Sequence, residues 1–349
     1  MMRKETKTVQ VGHIQIGGNS AISVQSMTTT DTRDAAATIA QIKELETAGC
    51  EIIRVAIPDM AAAEAVADIK KGISIPLVCD IHFDYRLALK CMENGADKIR
   101  LNPGNIGAKE NVKAVADMAN GLGIPIRIGV NGGSLQKDIL AKYKSATPEA
   151  LVESAMEHAS ILEDCGFGNI LLSLKASDVP TMIEAYRLAS KTCSYPLHLG
   201  VTEAGTYDSG IIKSSVGIGT LLSEGIGDTI RVSLTAHPVH EVKAGIEILR
   251  ALGLKTGGVT FVSCPTCGRC RINLIDIANE VKARCEHIKK DIKIAVMGCA
   301  VNGPGEARDA DIGIAGGDGE GLIFKKGEIF KKVPQAQIIE VLMQEIEKL

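Results

Sequence analysis

The sequence contains no tryptophan, and aromatic residues make up only 3% of its 349 positions. Aromatic platforms for stacking nucleic-acid bases are therefore not expected, and a formal net charge of −3 gives no electrostatic attraction for nucleic acid. No uncharged apolar run approaches the roughly 18 residues that a membrane helix needs. The segment Met1–Lys7 is polar, with no apolar stretch behind it, so we expect no secretory signal and a cytoplasmic protein.

The composition is otherwise that of a globular protein, with 45% hydrophobic and 23% charged residues. The length suggests two domains, or one large domain with a smaller one attached. Ten cysteines in a chain without an expected export signal predict reduced thiols or metal ligands rather than disulfides. The 36 glycines favour tight loops and close approach of the backbone to a ligand.

The first part of the sequence repeats one pattern: a short apolar run, a polar or glycine-rich loop, and a stretch with helical periodicity. Each repeat has the length of a βα unit, roughly 30 residues. The apolar runs are Ile22–Met27, Glu51–Ile57, Pro76–His82, Lys98–Asn102, Pro125–Asn131, Asn169–Lys175, Pro196–Thr202 and Asp228–Leu234. Eight such units predict an α/β fold, a TIM (β/α)8 barrel in residues 1–250.

The main alternative to a barrel is an open, doubly wound parallel sheet. In its dinucleotide-binding form that sheet carries G-x-G-x-x-G after the first strand, and the motif is missing here. Ahead of the first apolar run, the segment Thr8–Val24 alternates apolar and polar residues and contains two adjacent glycines. This pattern predicts a β-hairpin that closes the bottom of the barrel.

The repeat is lost at residues 251–258, which we interpret as a linker to a smaller α/β domain in residues 259–349. The pattern there predicts a strand, a helix, a second strand and a glycine-rich loop, followed by a pair of strands and a terminal helix. The expected ranges are 258–263, 273–284 and 292–297, then a strand pair around 313–324 and a helix over 335–349.

Charged and polar side chains follow the predicted barrel strands at their carboxyl ends, where TIM-barrel enzymes carry their catalytic residues. They are Arg54, Asp80, His82, Arg100, Asn102, Arg127, Asn131, Lys175, Glu203, Arg231 and Ser233. Any single cation of this set is equally well explained as a salt-bridged residue on the rim. Five cations that converge on one mouth require an anionic partner, because like charges packed together repel each other.

Three glycine-rich segments point to the same kind of ligand. We expect Asn102–Gly107, Asn131–Ser134 and Ser214–Thr220 to be loops at the mouth of the barrel. Backbone N–H groups in such loops and at helix N-termini bind phosphate oxygens. Together with the cations, they predict a phosphorylated, and more specifically a diphosphorylated, small molecule.

The predicted second domain contains a dense group of cysteines. Cys264, Cys267 and Cys270 follow its first strand, and Cys285 and Cys299 lie further along the chain. A C-x-x-C pair on one turn, completed by a distant cysteine, suits a structural zinc ion or an iron–sulfur cluster, and the spacing does not separate the two. A disulfide or a thioredoxin-like motif is less favoured, because no thioredoxin-type unit surrounds the pair.

Over essentially its whole length, the chain resembles the bacterial 4-hydroxy-3-methylbut-2-enyl diphosphate synthase family of the methylerythritol phosphate isoprenoid pathway. The motifs that carry the resemblance are Val24–Asp34, Cys79–Leu89, Lys98–Gly107, Ile126–Leu135, Ser173–Val179, Gly200–Gly205, Ser215–Thr235, Ser263–Arg269 and Gly298–Ala307. One departure lies in the segment His237–Val242, where the family pattern has acidic residues in place of His237 or His240.

The resemblance implies that the smaller domain holds a 4Fe–4S cluster. The ligands that it implies are Cys264, Cys267, Cys299 and Glu306. Cys270 and Cys285 are then not ligands. A carboxylate is a poor match for a site made of thiolates, so the iron at Glu306 is expected to exchange ligands.

The resemblance also implies the reaction and its partners. The substrate is 2-C-methyl-D-erythritol 2,4-cyclodiphosphate, an anion that suits the cationic mouth. A two-electron reductive ring opening with loss of water gives 4-hydroxy-3-methylbut-2-enyl diphosphate, and flavodoxin or ferredoxin supplies the electrons. A homodimer is expected, in which the cluster domain of one subunit caps the barrel of its partner.

Each site residue then has an expected role. Glu203 is the candidate acid for the departing hydroxyl, provided that it is buried. The diphosphate is held by Arg54, Arg100, Arg127, Lys175 and Arg231. Its orientation is fixed by Asp80, His82, Asn102, Asn131 and Ser233. Asn302, in the loop beside the cluster, contacts the substrate from the other side.

Two functions of other classes fit parts of the pattern. A barrel that only binds a phosphorylated ligand, joined to a structural zinc domain, is a sensor or a scaffold. A pterin-binding barrel, as in dihydropteroate synthase, is a transferase that needs no metal, and the cysteine motif has no purpose in it. Broad visible absorption of the protein purified without oxygen separates both from the iron–sulfur enzyme.

Overall fold

A computed structural model describes residues 3–300, residue 305 and residues 307–349. The chain forms two compact units, residues 1–255 and 256–349. Among the helices of the described residues, none combines the length and the apolar character that crossing a membrane requires.

The first unit opens with a hairpin of two antiparallel strands, β1 (Val9–Val11) and β2 (Ile14–Ile16). The hairpin is shorter than the predicted segment Thr8–Val24. Its buried side chains pack against residues in the lower half of the barrel strands, and the cluster consists of Val9, Val11, Ile16, Ile52, Val78 and Leu171. The hairpin therefore forms an apolar plug at the amino-terminal end of the barrel.

Eight parallel strands follow: β3 (Ser23–Met27), β4 (Ile52–Ala56), β5 (Leu77–Asp80), β6 (Lys98–Arg100), β7 (Ile126–Asn131), β8 (Ile170–Lys175), β9 (His198–Leu199) and β10 (Thr229–Ile230). They pair in the order β8-β7-β6-β5-β4-β3-β10-β9. Leu172 of β8 also bridges Leu197, just before β9, and this contact brings the two ends of the sheet together. The ring confirms the predicted TIM barrel and excludes the open sheet.

The barrel helices are α1 (Ala35–Thr47), α2 (Met60–Gly72), α3 (Tyr85–Glu93), α4 (Lys109–Leu122), α5 (Lys137–Tyr143), α6 (Pro148–Glu163), α7 (Val179–Thr192), α8 (Tyr207–Ser223) and α9 (Pro238–Ala251). Several begin at an aspartate whose carboxylate accepts a backbone hydrogen bond from the first turn, as Asp34, Asp59 and Asp178 do. These caps fix the point at which each loop at the mouth turns into a helix.

One predicted loop is wrong. Residues 214–220 do not form a glycine-rich loop at the mouth but lie inside α8. One of the two glycines there serves helix packing, because a Cβ atom on Gly217 would lie 3.0 Å from a methyl carbon of Val201. Only two of the three expected phosphate loops remain candidates, and each contains a short 3-10 turn, at Pro103–Asn105 and Gly132–Ser134.

The second unit contains β11 (Val259–Ser263), α10 (Leu274–Cys285), β12 (Ile292–Met297), β13 (Ile312–Gly316), β14 (Glu320–Lys325), β15 (Glu328–Pro334) and α11 (Ile338–Ile346). Its sheet has the order β11-β12-β13-β14-β15. The first three strands are parallel and the last two antiparallel. Both helices bury apolar faces against this sheet.

The prediction missed β15 altogether, whereas helical structure does begin at Gln335, with a 3-10 turn (Gln335–Gln337) that leads into α11. β15 lies at the edge of the sheet, and its side chains are exposed from Glu328 to Lys332. A strand whose side chains are almost all exposed carries no alternation of buried and exposed positions, which is the signal that reveals a strand in a sequence.

Candidate functional site

The carboxyl ends of the barrel strands surround a cavity of about 210 Å³. Cations dominate its lining. The lining residues are Arg54, Asp80, His82, Arg100, Arg127, Gly129, Asn131, Ser173, Lys175, Thr202, Arg231 and Ser233. Nine of the eleven strand-end residues selected from the sequence therefore meet in one place, and Asn102 and Glu203 are the two that do not line it.

Asp80, at the end of β5, holds two of the arginines. Its Oδ1 accepts a hydrogen bond from Nη1 of Arg100 at 3.1 Å, and its Oδ2 lies 3.7 Å from Nε of Arg54. Burial alone would raise the pKa of Asp80, but the charges of the two arginines outweigh it, and the pKa lies below its ordinary value. Asp80 is therefore an ionised carboxylate that bridges the two guanidinium groups.

Arg127 and Lys175 have no such carboxylate. Arg127 on β7 is only 1% exposed, and its Nε and Nη2 atoms have no hydrogen-bond partner in the described part of the chain. Lys175 on β8 is 6% exposed. Burial and the neighbouring positive charges lower the pKa of both groups well below their ordinary values. Buried donors without partners are costly, so Arg127 is arranged to receive an anion, and Lys175 lines the same cavity.

Arg231 is held by a carboxylate that the sequence analysis did not select. Its Nη2 lies 3.2 Å from Oε2 of Glu241, which belongs to the first turn of α9 and is 4% exposed. Glu241 also accepts hydrogen bonds from Leu234 N and from the hydroxyl of Ser26. It lies within the segment His237–Val242, on a helix rather than at a strand end, so the strand-end criterion could not find it.

Two glycines make room for the cations. A Cβ atom on Gly129 would lie 2.5 Å from Nε of Arg100, and one on Gly200 would lie 2.6 Å from Nζ of Lys175. Real Cβ contacts are never that short. The Arg100 guanidinium, which also donates to the Gly129 carbonyl at 2.8 Å, therefore lies flat across β7 only because that position has no side chain.

Asn102 acts beside the cavity rather than in it. Its Oδ1 accepts a hydrogen bond from Gly129 N at 3.0 Å, which ties the loop after β6 to β7. The same loop is held from α6, because Nδ1 of His158 accepts a hydrogen bond from Gly104 N at 3.2 Å. Burial lowers the pKa of His158 to about 4, so at neutral pH its ring is uncharged and free to accept.

This buried histidine predicts an acid-sensitive loop. The pKa of His158 is lower in the folded state than in the unfolded chain. The contribution of the neutral ring to the free energy of unfolding is therefore fully present above about pH 6.5 and is lost as the pH falls toward 4. Urea unfolding measures this loss. Between pH 7 and 4, the free energy of unfolding of the wild type is expected to fall by about 3 kcal/mol more than that of His158→Gln. The exposed His13→Gln variant serves as the control and should follow the wild type. If the free energy of unfolding depends on pH in the same way for the wild type and His158→Gln, His158 is not the acid-sensitive group.

Glu203 lies in the loop after β9 and is exposed in the barrel unit, so the burial expected for it is not found. Its backbone has a φ of 51°, in the left-handed region that residues other than glycine rarely adopt. Such strain is retained where surrounding structure imposes it, and it is concentrated at functional sites. The backbone, rather than the environment of the side chain, marks Glu203 as unusual.

Two further residues that line the cavity, Ser173 and Thr202, were not predicted from the sequence. Ser173 precedes Lys175 by two residues on β8, so the alternation of side chains along a strand puts both on the same face. That signal was available in the sequence. Thr202 has no equivalent signal, because only two residues of its segment form a regular strand.

In the second unit, the cysteines lie at the carboxyl ends of neighbouring strands. Cys264 directly follows β11, Cys299 lies just beyond β12, and these two strands pair side by side. The Cys264 sulfur accepts a hydrogen bond from Gly298 N at 3.1 Å. Cys267 is exposed on the turn between, and hydrogen bonds from the backbone N–H and the side chain of Arg269 lower the pKa of its thiol.

The described residues do not include the whole expected ligand set. Glu306 and Asn302 lie outside them, and among the residues that are described no three Cys, His, Asp or Glu side chains are gathered closely enough to bind one metal ion. Cys270 follows Cys267 by three residues, and its thiol donates to the Ile272 carbonyl at 3.2 Å. Cys285 is buried on α10, its sulfur 3.8 Å from that of Met343.

A larger cavity, of about 580 Å³, lies at the opposite end of the second unit's sheet from the cysteines. Its lining combines basic and acidic side chains in equal number: Lys290, Lys325 and Lys326 with Asp291, Asp311 and Glu328. These charges already compensate one another, so this cavity offers no comparable anion site.

Comparison with known families covers both units. Residues 6–246 match the GcpE TIM-barrel domain, and residues 260–348 match the GcpE protein C-terminal domain. The 4-hydroxy-3-methylbut-2-en-1-yl diphosphate synthase (flavodoxin) of Caldanaerobacter subterraneus subsp. tengcongensis is 63% identical over 100% of this chain and 98% of its own. The protein of the same name from Clostridium acetobutylicum is 62% identical over the full length of both chains.

Among solved structures, the barrel is similar to dihydropteroate synthases. The enzyme from Stenotrophomonas maltophilia aligns with a TM-score of 0.53 at 12% identity, over 71% of this chain and 97% of that one. The enzyme from Yersinia pestis aligns with a TM-score of 0.50 at 14% identity, over 70% of this chain and 97% of that one. At this level of identity, the likeness shows a shared barrel fold and nothing about activity.

Proposed function

Because the chain belongs to the GcpE family, it is an enzyme of the 4-hydroxy-3-methylbut-2-en-1-yl diphosphate synthase class, and we propose that the cavity at the mouth of its barrel is the substrate site. The reaction is the two-electron reductive ring opening and dehydration of 2-C-methyl-D-erythritol 2,4-cyclodiphosphate. The observation that carries the proposal is Arg127, a buried cation with two donor atoms that nothing in the described chain accepts.

The charges of the cavity match this ligand. Five cations line it, and Asp80 and Glu241 are the carboxylates that touch them. Three positive charges stay uncompensated if every cation is protonated, and a cyclic diphosphate carries one negative charge on each phosphate. Binding therefore replaces repulsion among buried cations with charge-assisted hydrogen bonds, which are the stronger kind.

The side chains divide the work according to their partners. Arg127 and Lys175, which lack a carboxylate, bind phosphate oxygens directly. Arg54 and Arg100 bind the same diphosphate in an orientation fixed by Asp80, and Glu241 does the same for Arg231. His82, with a side chain 59% exposed, stands at the entrance. Asn131 and Ser233 complete the polar wall that orients the carbon skeleton.

The second unit supplies the reducing centre, which we propose to be a 4Fe–4S cluster held by Cys264, Cys267, Cys299 and Glu306. The donor chemistry fits: the Cys264 sulfur accepts a hydrogen bond from Gly298 N, and hydrogen bonds from Arg269 lower the pKa of the Cys267 thiol, which favours the thiolate form that binds iron. When bound, the cluster delivers the two electrons. Glu203 donates the proton that leaves with the hydroxyl group as water, and Asn302 contacts the substrate from the side of the cluster.

The family sets the remaining partners. Relatives of this chain are named for flavodoxin, so an external electron donor of that kind reduces the enzyme. We further propose that the protein acts in the cytoplasm as a homodimer, because a barrel and a cluster domain contributed by different subunits can close over one substrate.

Removing Arg127 tests the site. The Arg127→Met variant keeps the volume but loses the buried charge, and its substrate affinity is expected to fall by about 1.5–3 kcal/mol, roughly a 10- to 150-fold increase in Kd. The variant should fold, because replacing an unpaired buried charge by an apolar side chain removes a desolvation cost. Calorimetric titration with the cyclodiphosphate measures the change.

The matched control is Arg187→Met, which removes an arginine from the outer surface of the same barrel, where it pairs with Glu224 and Glu184. Its substrate affinity should equal that of the wild type. Unchanged affinity in Arg127→Met would show that the diphosphate binds elsewhere.

A further inference from the structure

Beneath the cations of the mouth lies a second group of polar side chains with no place in the scheme above. Lys98, His198 and Gln25 are each at most 1% exposed. The Lys98 ammonium nitrogen, both ring nitrogens of His198 and both amide atoms of Gln25 lack any hydrogen-bond partner within the described residues. We refer to these three residues as the floor of the barrel.

The register of the strands gives their depth. Lys98 precedes Arg100 by two residues on β6, so its side chain enters the barrel on the same face, roughly 6–7 Å lower. It pairs with Val78, which belongs to the apolar cluster of the hairpin plug. The floor therefore lies between the plug and the substrate site.

Lys98 has cations above it and no carboxylate within contact. The charged and titratable groups on the surrounding strands and helices are Arg54, Asp80, Arg100, Arg127, Lys175, Tyr186, His198, Arg231 and Glu241. The two carboxylates are already bound to Arg100 and Arg231. A buried amine without partner or counter-charge favours its neutral form. Burial first, and then the charges of Arg127 and Arg54, lower the pKa of Lys98 well below its ordinary value.

The reaction changes the charge of the ligand. The cyclic substrate has one ionised oxygen on each phosphate and carries two negative charges. Reductive opening breaks the ring C–O bond to one phosphate and the C–O bond of the departing hydroxyl. With two electrons and one proton taken up, the products are water and an open diphosphate with three negative charges, so charge and atoms balance.

We propose that Lys98 is a neutral amine in the free enzyme and takes up a proton when the ring opens, so that the floor gains a positive charge as the ligand gains a negative one. The inference rests on the proposed substrate site. The proton comes from solvent and is separate from the one that leaves in water. Lys98 thereby favours the opened diphosphate over the cyclic one. It does not touch the reacting carbon atoms and acts only through its charge, so it is a positioning residue rather than a catalytic one.

The test counts protons during binding. The cluster-loaded enzyme is titrated calorimetrically with the cyclodiphosphate and with the open diphosphate, in two buffers of equal pH but different ionisation enthalpy. A pH near 8 keeps the terminal phosphate fully ionised, because its last pKa is about 6. The wild type is expected to take up about one more proton with the open ligand than with the cyclic one.

In Lys98→Met this difference should disappear, and the Kd for the open diphosphate should rise roughly tenfold while that for the cyclic one changes less than about threefold. The matched control, His198→Gln, removes another buried group of the floor and should retain the difference. Equal proton counts for the two ligands in the wild type overturn the proposal whether or not any variant folds. A difference that survives in Lys98→Met does so as well. Failure of the wild type to bind either ligand instead rejects the substrate site itself.

Discussion

A Cys264→Ser variant, purified without oxygen, is expected to contain little or no iron and to show no measurable turnover. The Cys264 sulfur lies where β11 ends, next to the strand that leads to Cys299, and a serine oxygen is a much weaker ligand for iron than a thiolate. Cys267→Ser and Cys299→Ser should behave alike. Iron and acid-labile sulfide per chain, with the visible spectrum, measure the loss.

Two other cysteines of the same unit provide the controls. In Cys270 the thiol donates to a backbone carbonyl, a bond that a serine hydroxyl also makes, and Cys285 is buried against Met343. Both serine variants should retain iron and activity. Complete loss of iron from Cys270→Ser would reject the proposed ligand set. A colourless wild type that contains zinc would reject the cluster, leaving a ligand-binding barrel on a structural zinc domain.

Replacing Glu203 by glutamine is expected to lower the turnover rate by a factor of about 100 or more, the scale of losing a general acid. Glutamine keeps the size of the side chain but cannot donate a carboxylic proton. The cluster spectrum and the affinity for the cyclodiphosphate should stay as in the wild type, because Glu203 does not line the cavity in the barrel unit. Single-turnover rates with chemically reduced enzyme measure the effect.

The strained backbone at Glu203 calls for a second variant. Glu203→Gly relieves the positive φ and also removes the carboxyl group, so it should be at least as stable as the wild type and as slow as Glu203→Gln. If Glu203→Gln turns over at the wild-type rate, the proton comes from another donor. His82 at the entrance of the cavity is then the next candidate.

Much of the barrel could be predicted because its signal is local and repeated. Each strand is a short apolar run, and side chains two residues apart point the same way, so Arg100 follows Lys98 into the interior. At twice that spacing, Asn131 follows Arg127. Parallel strands of a closed barrel all end at one rim. The convergence of Arg54, Arg100, Arg127, Lys175 and Arg231 therefore followed from their positions along the strands.

What the sequence could not reveal depends on contacts between distant segments. Glu241 reaches Arg231 from a helix, and no spacing along the chain encodes that meeting. Asn102 lies at a strand end, as the criterion requires, but its Oδ1 accepts a hydrogen bond from the backbone of β7 and does not face the cavity. The glycines of residues 214–220 have the composition of a loop, and packing of α8 on the barrel outweighed their low helix propensity.

The hairpin at the start of the chain has a consequence for the movement of protons. Val9, Val11 and Ile16 pack against the lower barrel strands, so the hairpin covers the floor from below. On the opposite side, the bound ligand covers the floor from the mouth of the barrel. A proton that reaches Lys98 from the mouth during turnover then passes the ligand, whose phosphate oxygens can accept and release it. Deuterated solvent should slow this proton transfer, and a change in the length of the hairpin should alter proton access from below rather than substrate affinity.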